Sequence, residues 1–250
     1  MPVGIYLYRK FKALVGMAGF NLIVTKKIST DTYESVLTVA SYAPWLPDKE
    51  FNAAYTAIAG YTMVDKYRCY ELWQLVAQTA RLSGALLEVG VWRGGSGALF
   101  AKRARLSGIA DTVYLCDTFA GVVKTGEKDT PRYFDGEHAD TSAKTVEEVL
   151  AKLNVDNVKI LTGIFPDETS TLISESTFRF CHVDVDVYQS AKDTVEWLWP
   201  KLVVGGIVVF DDYGFKGCDG VRKFVNEERG KADRVVIHNL NGHAIFIKTH

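Results

Sequence analysis

Phe178-Arg-Phe-Cys-His-Val-Asp-Val-Asp-Val-Tyr188 and, one strand later, Gly205-Gly-Ile-Val-Val-Phe-Asp-Asp-Tyr213 decide how this 250-residue chain folds. Both are apolar, β-branched runs that stop abruptly at carboxylates. In an open α/β sheet the carboxyl ends of parallel strands share one crevice, and ligands bind there. Two neighbouring strands of this kind bring Asp184, Asp186, Asp211 and Asp212 within reach of one point. Four carboxylates in one place repel one another unless a cation sits among them. Hard oxygen donors suit Mg²⁺, Ca²⁺ or Mn²⁺.

Working outward, strand and helix patterns alternate. Strands are expected at 85–89, 112–116, 158–161, 178–183, 206–210, 234–238 and 244–248, with helices at 96–106, 145–153, 168–173, 190–198 and 221–228 between them. Asn239-Leu-Asn-Gly242 leaves no room for a crossover, so the last two strands pair as an antiparallel hairpin. Residues 1 to about 80 read as helical, broken at Pro44 and Pro47. Tyr70, Trp73, Leu75, Val76 and Ala80 mark the apolar positions of a helix over 67–80. The insert 120–142, rich in Gly, Asp, Glu and Lys, reads as a mobile loop over the crevice.

A second feature lies at Leu86-Leu-Glu-Val-Gly-Val-Trp-Arg-Gly-Gly-Ser-Gly97, a strand, a glycine turn and a helix start. Glycine lets a ligand approach the backbone, and the following helix N-terminus offers free N–H groups. The turn matches neither GxGxxG nor a Walker motif. Asp117 ends the second strand, where Rossmann-like folds hold ribose hydroxyls. Together they favour an adenosine-bearing cofactor, with NAD and S-adenosylmethionine as contenders.

Composition excludes more than it assigns. Net charge is −1, so no basic field argues for nucleic acid. Hydrophobic residues at 48% and charged residues at 24% fit one soluble α/β domain rather than two small ones. Cys69, Cys116, Cys181 and Cys218 lack CxxC spacing and read as reduced thiols of a reducing compartment, the cytoplasm. The apolar segment 11–25, flanked by Arg9, Lys10, Lys26 and Lys27, is too short to span a membrane. It reads as a helix packed on the domain or a second subunit, with a basic patch touching anionic lipid as the alternative.

The motifs Glu88-Val-Gly-Val-Trp-Arg-Gly-Gly-Ser96, Asp117-Thr-Phe-Ala-Gly121, Gly163-Ile-Phe-Pro-Asp167, His182-Val-Asp-Val-Asp-Val-Tyr-Gln-Ser190 and Gly205-Gly-Ile-Val-Val-Phe-Asp-Asp-Tyr-Gly214 resemble the macrocin O-methyltransferase family. The resemblance covers roughly residues 60–250. It implies a Rossmann-like class I methyltransferase fold, a seven-stranded mostly parallel sheet with an antiparallel C-terminal hairpin. A helical N-terminal region, 1–60, would precede a methyltransferase domain, 61–250. It further implies S-adenosyl-L-methionine and Mg²⁺ or another divalent cation, acting on a sugar or glycoside hydroxyl acceptor, and a homo-oligomer.

Residue by residue, the resemblance implies that Thr62, Met63, Glu88 and Gly90 bound the methionine and ribose side of the cofactor. Asp117 would take the ribose hydroxyls, with Thr118 and Phe119 beside the adenosine and Ser142 and Ile164 bordering the adenine. Asp184, Asp211 and Asp212 would hold the metal, and Asp184 is the position proposed as general base in relatives. Asp186 is expected to support them from the same strand face. Tyr188 and Tyr213 either line the acceptor pocket or pack. His182 reads as a core histidine, His138 as a loop residue or substrate contact, and Arg93 stays open between ion pair, cofactor contact and surface. Rival readings are a hydrolase using Ser96, Asp211 and His243, a NAD-dependent oxidoreductase, a methyltransferase acting on a phenolic hydroxyl, and a non-catalytic cofactor-binding relative.

Overall fold

Seven strands form one sheet in the order β3-β2-β1-β4-β5-β7-β6. They are β1 (Ala85–Val89), β2 (Val113–Asp117), β3 (Val158–Thr162), β4 (Phe178–Val183), β5 (Leu202–Phe210), β6 (Arg234–His238) and β7 (Ala244–Lys248). The first five are parallel, and β7 runs antiparallel to both β5 and β6. This is the layout expected from the C-terminal hairpin. The computed structural model describes residues 11–12, 15–17, 28, 30, 32–36 and 40–250. The apolar segment 11–25 and its flanking basic residues therefore lie largely outside the described residues. Among the described residues no helix is long and apolar enough to cross a membrane.

Alternation along each strand sends neighbouring residues to opposite faces, and two cores result. On one face Leu86, Leu115, Phe180 and Val209 pack against α1 (Lys49–Ala57), α2 (Lys66–Gln78), α3 (Gly95–Leu106) and α4 (Ala143–Leu153). On the other, Leu87, Tyr114, Cys181, Phe210 and Phe246 meet α5 (Tyr188–Leu198) and α6 (Asp219–Glu228). All four cysteines are free and buried, as expected of reduced thiols.

The compact unit runs from Ser41 to His250. Phe51, Ala54 and Ile58, at or just beyond α1, belong to its core. Asp48 and Asp65 cap α1 and α2, their carboxylates accepting the Phe51 N–H and the Tyr67 and Arg68 N–H groups. The buried face of α2 is Arg68, Cys69, Leu72, Trp73 and Val76. It is rotated from the face expected from sequence, because Tyr70 and Leu75 pack only at its margin. The helix expected at 168–173 is a single 3₁₀ turn, Ser170–Leu172.

The insert 120–142 is held to its surroundings by hydrogen bonds and ion pairs. Its Val122 N–H and Gly136 N–H pair with the Glu137 and Val122 carbonyls. Asp129 Oδ1 accepts the Tyr188 N–H at 2.8 Å, supplying the cap that the start of α5 lacks in its own sequence. Lys124 bridges Asp193 and Asp167. Gly220 is required under this strap, since a Cβ there would lie 2.7 Å from the Tyr188 backbone nitrogen and collide with Asp129 Oδ1.

Candidate active site

Val89 pairs with Val183 and Val183 with Phe210, so β1, β4 and β5 end side by side. The residues just beyond these strand ends meet at one edge: Gly90, Asp184, and the Asp211-Asp212 pair. Gly90 has φ +85°, and a Cβ on it would lie 1.7 Å from the Asp184 carbonyl oxygen. Only glycine lets these two strand ends approach so closely.

Asp117 organises the glycine turn from β2. Its Oδ2 accepts the Val91 and Trp92 N–H groups at 2.7 and 2.8 Å, and its Oδ1 accepts the Phe119 N–H at 2.7 Å. An ionised carboxylate offers about four lone-pair sites, so acceptor capacity remains beyond these three donors. Trp92 Nε1 donates to Asp140, and Arg93 forms an ion pair with the same carboxylate, closing the end of the insert onto the turn.

A crevice of about 700 Å³, open to solvent, results from this arrangement. Met63, Gly90, Asp117, Thr118 and Asp184 line it, as do Trp92, His138, Val185 and Asp186. Other expected cofactor residues sit differently. Ser142 caps α4, its hydroxyl accepting the Thr145 N–H. Thr62 accepts the Val64 N–H, and the Ile164 N–H donates to Glu168. Phe119 packs at the margin of the first core. Glu88 is fully buried and meets His182 Nδ1 at 2.8 Å instead of lining the crevice.

At the other end of the crevice, oxygens of Asp184, Asp211 and Asp212 lie within 4.8 Å of one another. Asp186 does not continue the strand. β4 ends at Val183, and Asp186 adopts φ +64°. Its N–H donates to Asp212 Oδ2 at 2.9 Å, and its side chain joins Asp212 and Cys218 in a second close group. The supporting role expected of it is thus delivered by its backbone, through a turn.

The electrostatics of the three carboxylates diverge. Burial, then repulsion from Asp211 and Asp212, pushes Asp184 well above the usual carboxylate range. Burial, then Asp186 and Asp211, does the same to Asp212. Burial also opposes ionisation of Asp211, but His182, His243 and the Arg68 charge outweigh it and hold Asp211 well below that range. Arg68 pairs directly with Asp211 Oδ2, and His243 Nε2 lies 3.0 Å from Oδ1. His182 is fully buried; burial alone would lower its pKa, yet the Asp211 and Glu88 carboxylates on either side raise it to about 10. Among the described residues, no hydrogen bond is donated to the Asp184 carboxylate. The donor set of buried, mutually repelling oxygens fits a hard divalent cation, which would relieve the strain that burial leaves on Asp184 and Asp212.

Arg68, Glu71 and His243 as organisers of Asp211 are not read from the sequence in this role. Asp211 and His243 are paired there only within the hydrolase reading. They do meet, but His243 Nδ1 goes to Glu71 and not to a serine, which leaves that triad without its nucleophile. Tyr188 and Tyr213 pack: their hydroxyls donate to Glu227 and Asn226, and both rings belong to the second core.

Known proteins resemble this chain in sequence and fold. The model of the macrocin O-methyltransferase family matches residues 22–247. The chain is 32% identical over 188 residues to demethyldecarbamoylnovobiocin O-methyltransferase of Streptomyces niveus, covering 69% of each chain. It is 28% identical over 202 residues to mycinamicin III 3''-O-methyltransferase of Micromonospora griseorubida, covering 75% of this chain and 78% of that one. Among solved structures, the O-methyltransferase NovP superposes with a TM-score of 0.66 at 27% identity, over 76% of this chain and 83% of that one. The calicheamicin methyltransferase CalS11 shares the fold with a TM-score of 0.59 at 16% identity, over 88% of this chain and 99% of that one. The chain is an O-methyltransferase and belongs to the macrocin O-methyltransferase family.

Proposed function

We propose that this protein transfers a methyl group from S-adenosylmethionine to a hydroxyl of a sugar or glycosylated natural product, with a divalent cation, Mg²⁺, held by Asp184, Asp211 and Asp212. The observation that supports the reading is the convergence of these three carboxylates, with Asp184 lining the crevice formed beside Gly90 and Asp117. The acceptor class comes from relatives that act on a demethyldecarbamoylnovobiocin and on the 3'' oxygen of mycinamicin III.

When bound, the cofactor supplies an electrophilic methyl group and the cation lowers the pKa of the hydroxyl to be methylated. The chain does the rest by placement. Gly90 brings the backbone of the turn close to the ligand, and Asp117 keeps acceptor capacity for ribose hydroxyls. Holding both reactants in line is worth up to about 7–11 kcal/mol in the best cases. Asp184 faces the crevice, carries no competing hydrogen-bond donor, and is the group that accepts the acceptor proton at its carboxylate. The insert borders the crevice through Val122, Val123 and His138 and is tied to α5 through Asp129 and Lys124.

Titration calorimetry with S-adenosylmethionine, with and without Mg²⁺, tests the reading. It predicts saturable cofactor binding at one site per chain. Absence of cofactor binding under both conditions would sink it.

A further inference from the structure

His243 and Glu71 belong to no part of the methyl-transfer scheme, yet they are built into its cage. His243 is fully buried. Its Nε2 lies 3.0 Å from Asp211 Oδ1 and its Nδ1 2.5 Å from Glu71 Oε2. Behind it, Asn241 Nδ2 donates to Glu71 Oε2 at 2.9 Å, and Asn239 Nδ2 donates to Oε1. The hairpin connection between β6 and β7 thus docks on α2 through one carboxylate.

Arg68 lies one turn earlier on α2 and holds the other oxygen, Oδ2, of Asp211. A guanidinium and a carboxylate left to themselves form a two-pronged pair. Here the guanidinium divides instead, its Nε donating to Asp65 Oδ2 at 2.8 Å, while His243 occupies Asp211 Oδ1. Asp211 is gripped at both oxygens by different partners and keeps a lone pair on each. His182, with Glu88 behind it, lies 3.7 Å from the same Oδ1 and adds a charge contact from the opposite side.

We propose that Glu71 and His243 are positioning residues that set the Asp211 carboxylate to receive a hard divalent cation together with Asp184 and Asp212; this rests on the metal reading above. Groups that orient a metal-binding carboxylate without touching the metal typically change its affinity by about 10- to 100-fold when removed.

The test is Mn²⁺ titration of the full chain, followed by electron paramagnetic resonance, on the wild type and on Glu71→Gln, His243→Gln and His243→Leu. His243→Leu is expected to weaken Mn²⁺ binding about 10- to 100-fold. His243→Gln, whose amide keeps a donor towards Asp211, weakens it less, and Glu71→Gln falls between. S-adenosylmethionine affinity, read by calorimetry on the same samples, stays within about twofold, which a merely structural role would not preserve. Should His243→Leu fail to fold, Glu71→Gln, which exchanges one oxygen for nitrogen, carries the test. Wild-type Mn²⁺ affinity in Glu71→Gln and His243→Gln overturns the proposal, as does parallel loss of cofactor and Mn²⁺ binding. A wild type that binds no Mn²⁺ instead overturns the metal reading itself.

Discussion

The two ends of the crevice are built by opposite means. Beside β1 and β2 the site is made by removing side chains: Gly90 leaves space for the Asp184 carbonyl, and the turn amides are tied to Asp117. Beside β4 and β5 it is made by crowding charge, with three carboxylates at one point and only Asp211 given positively charged or imidazole partners among the described residues. The first end is complete once the Asp117 carboxylate has taken up the turn amides. The second is at odds with itself until something positive arrives, since Asp184 and Asp212 are driven towards the protonated state. Substitutions should therefore cost stability at the first end, whereas at the second the sign depends on which carboxylate is touched.

The largest effect is expected at Gly90. Gly90→Ala places a Cβ 1.7 Å from the Asp184 carbonyl oxygen at φ +85°. The β1 and β4 ends must separate, costing about 4 kcal/mol or more, with cofactor binding lost. Urea unfolding and calorimetry check both, and a stable, cofactor-binding variant would break the account of this turn.

At the other end, Asp211→Ala strips Arg68 and His243 of their shared partner. Arg68 keeps Asp65 as a partner, so the loss of Asp211 costs about 1–3 kcal/mol, measurable in the same unfolding experiment.

His182 sharpens the comparison through pH. Its pKa rises from 6.5 to about 10 in the folded protein. The folded state thus holds the proton more tightly than the unfolded one. Its contribution is fully present below about pH 6.5 and fades as pH rises towards about 10. His182→Gln should flatten the fall of Tm across this window, and an unchanged slope would contradict the assignment.

The smallest effect belongs to the strap. Asp129→Ala removes the acceptor for the Tyr188 N–H and should cost about 1 kcal/mol, the usual value of a cap. Limited proteolysis should then cut within 120–142 before the sheet unfolds.

The sheet is legible in the sequence because β-branched runs ending in Gly or Asp carry their own boundaries, and the short link 239–242 permits only a hairpin. The crevice is legible for the same reason, since its key residues sit at strand ends. The partners of Asp211 are not. Arg68 lies 143 residues away and His243 32 residues away, and no periodicity links them. One signal exists: Arg68 stands four residues before Leu72 on the apolar stripe of α2, and a charge on such a stripe needs a partner. Asp186 reads as extended because its positive φ leaves no mark in an alternating Asp-Val-Asp pattern. The tie between the insert and α5 is hidden because Asp129 caps a helix that begins 59 residues later.

Asp184→Asn tests the central contrast most directly. It removes one half-buried carboxylate that accepts no hydrogen bond among the described residues, and leaves the backbone at Gly90 untouched. In the presence of a chelator the variant should be more stable than the wild type by about 1–2 kcal/mol, a common gain when a strained functional group is removed. Calorimetry should find S-adenosylmethionine bound as before and Mg²⁺ binding lost. A variant that is destabilised in chelator, or that binds Mg²⁺ like the wild type, would contradict the account.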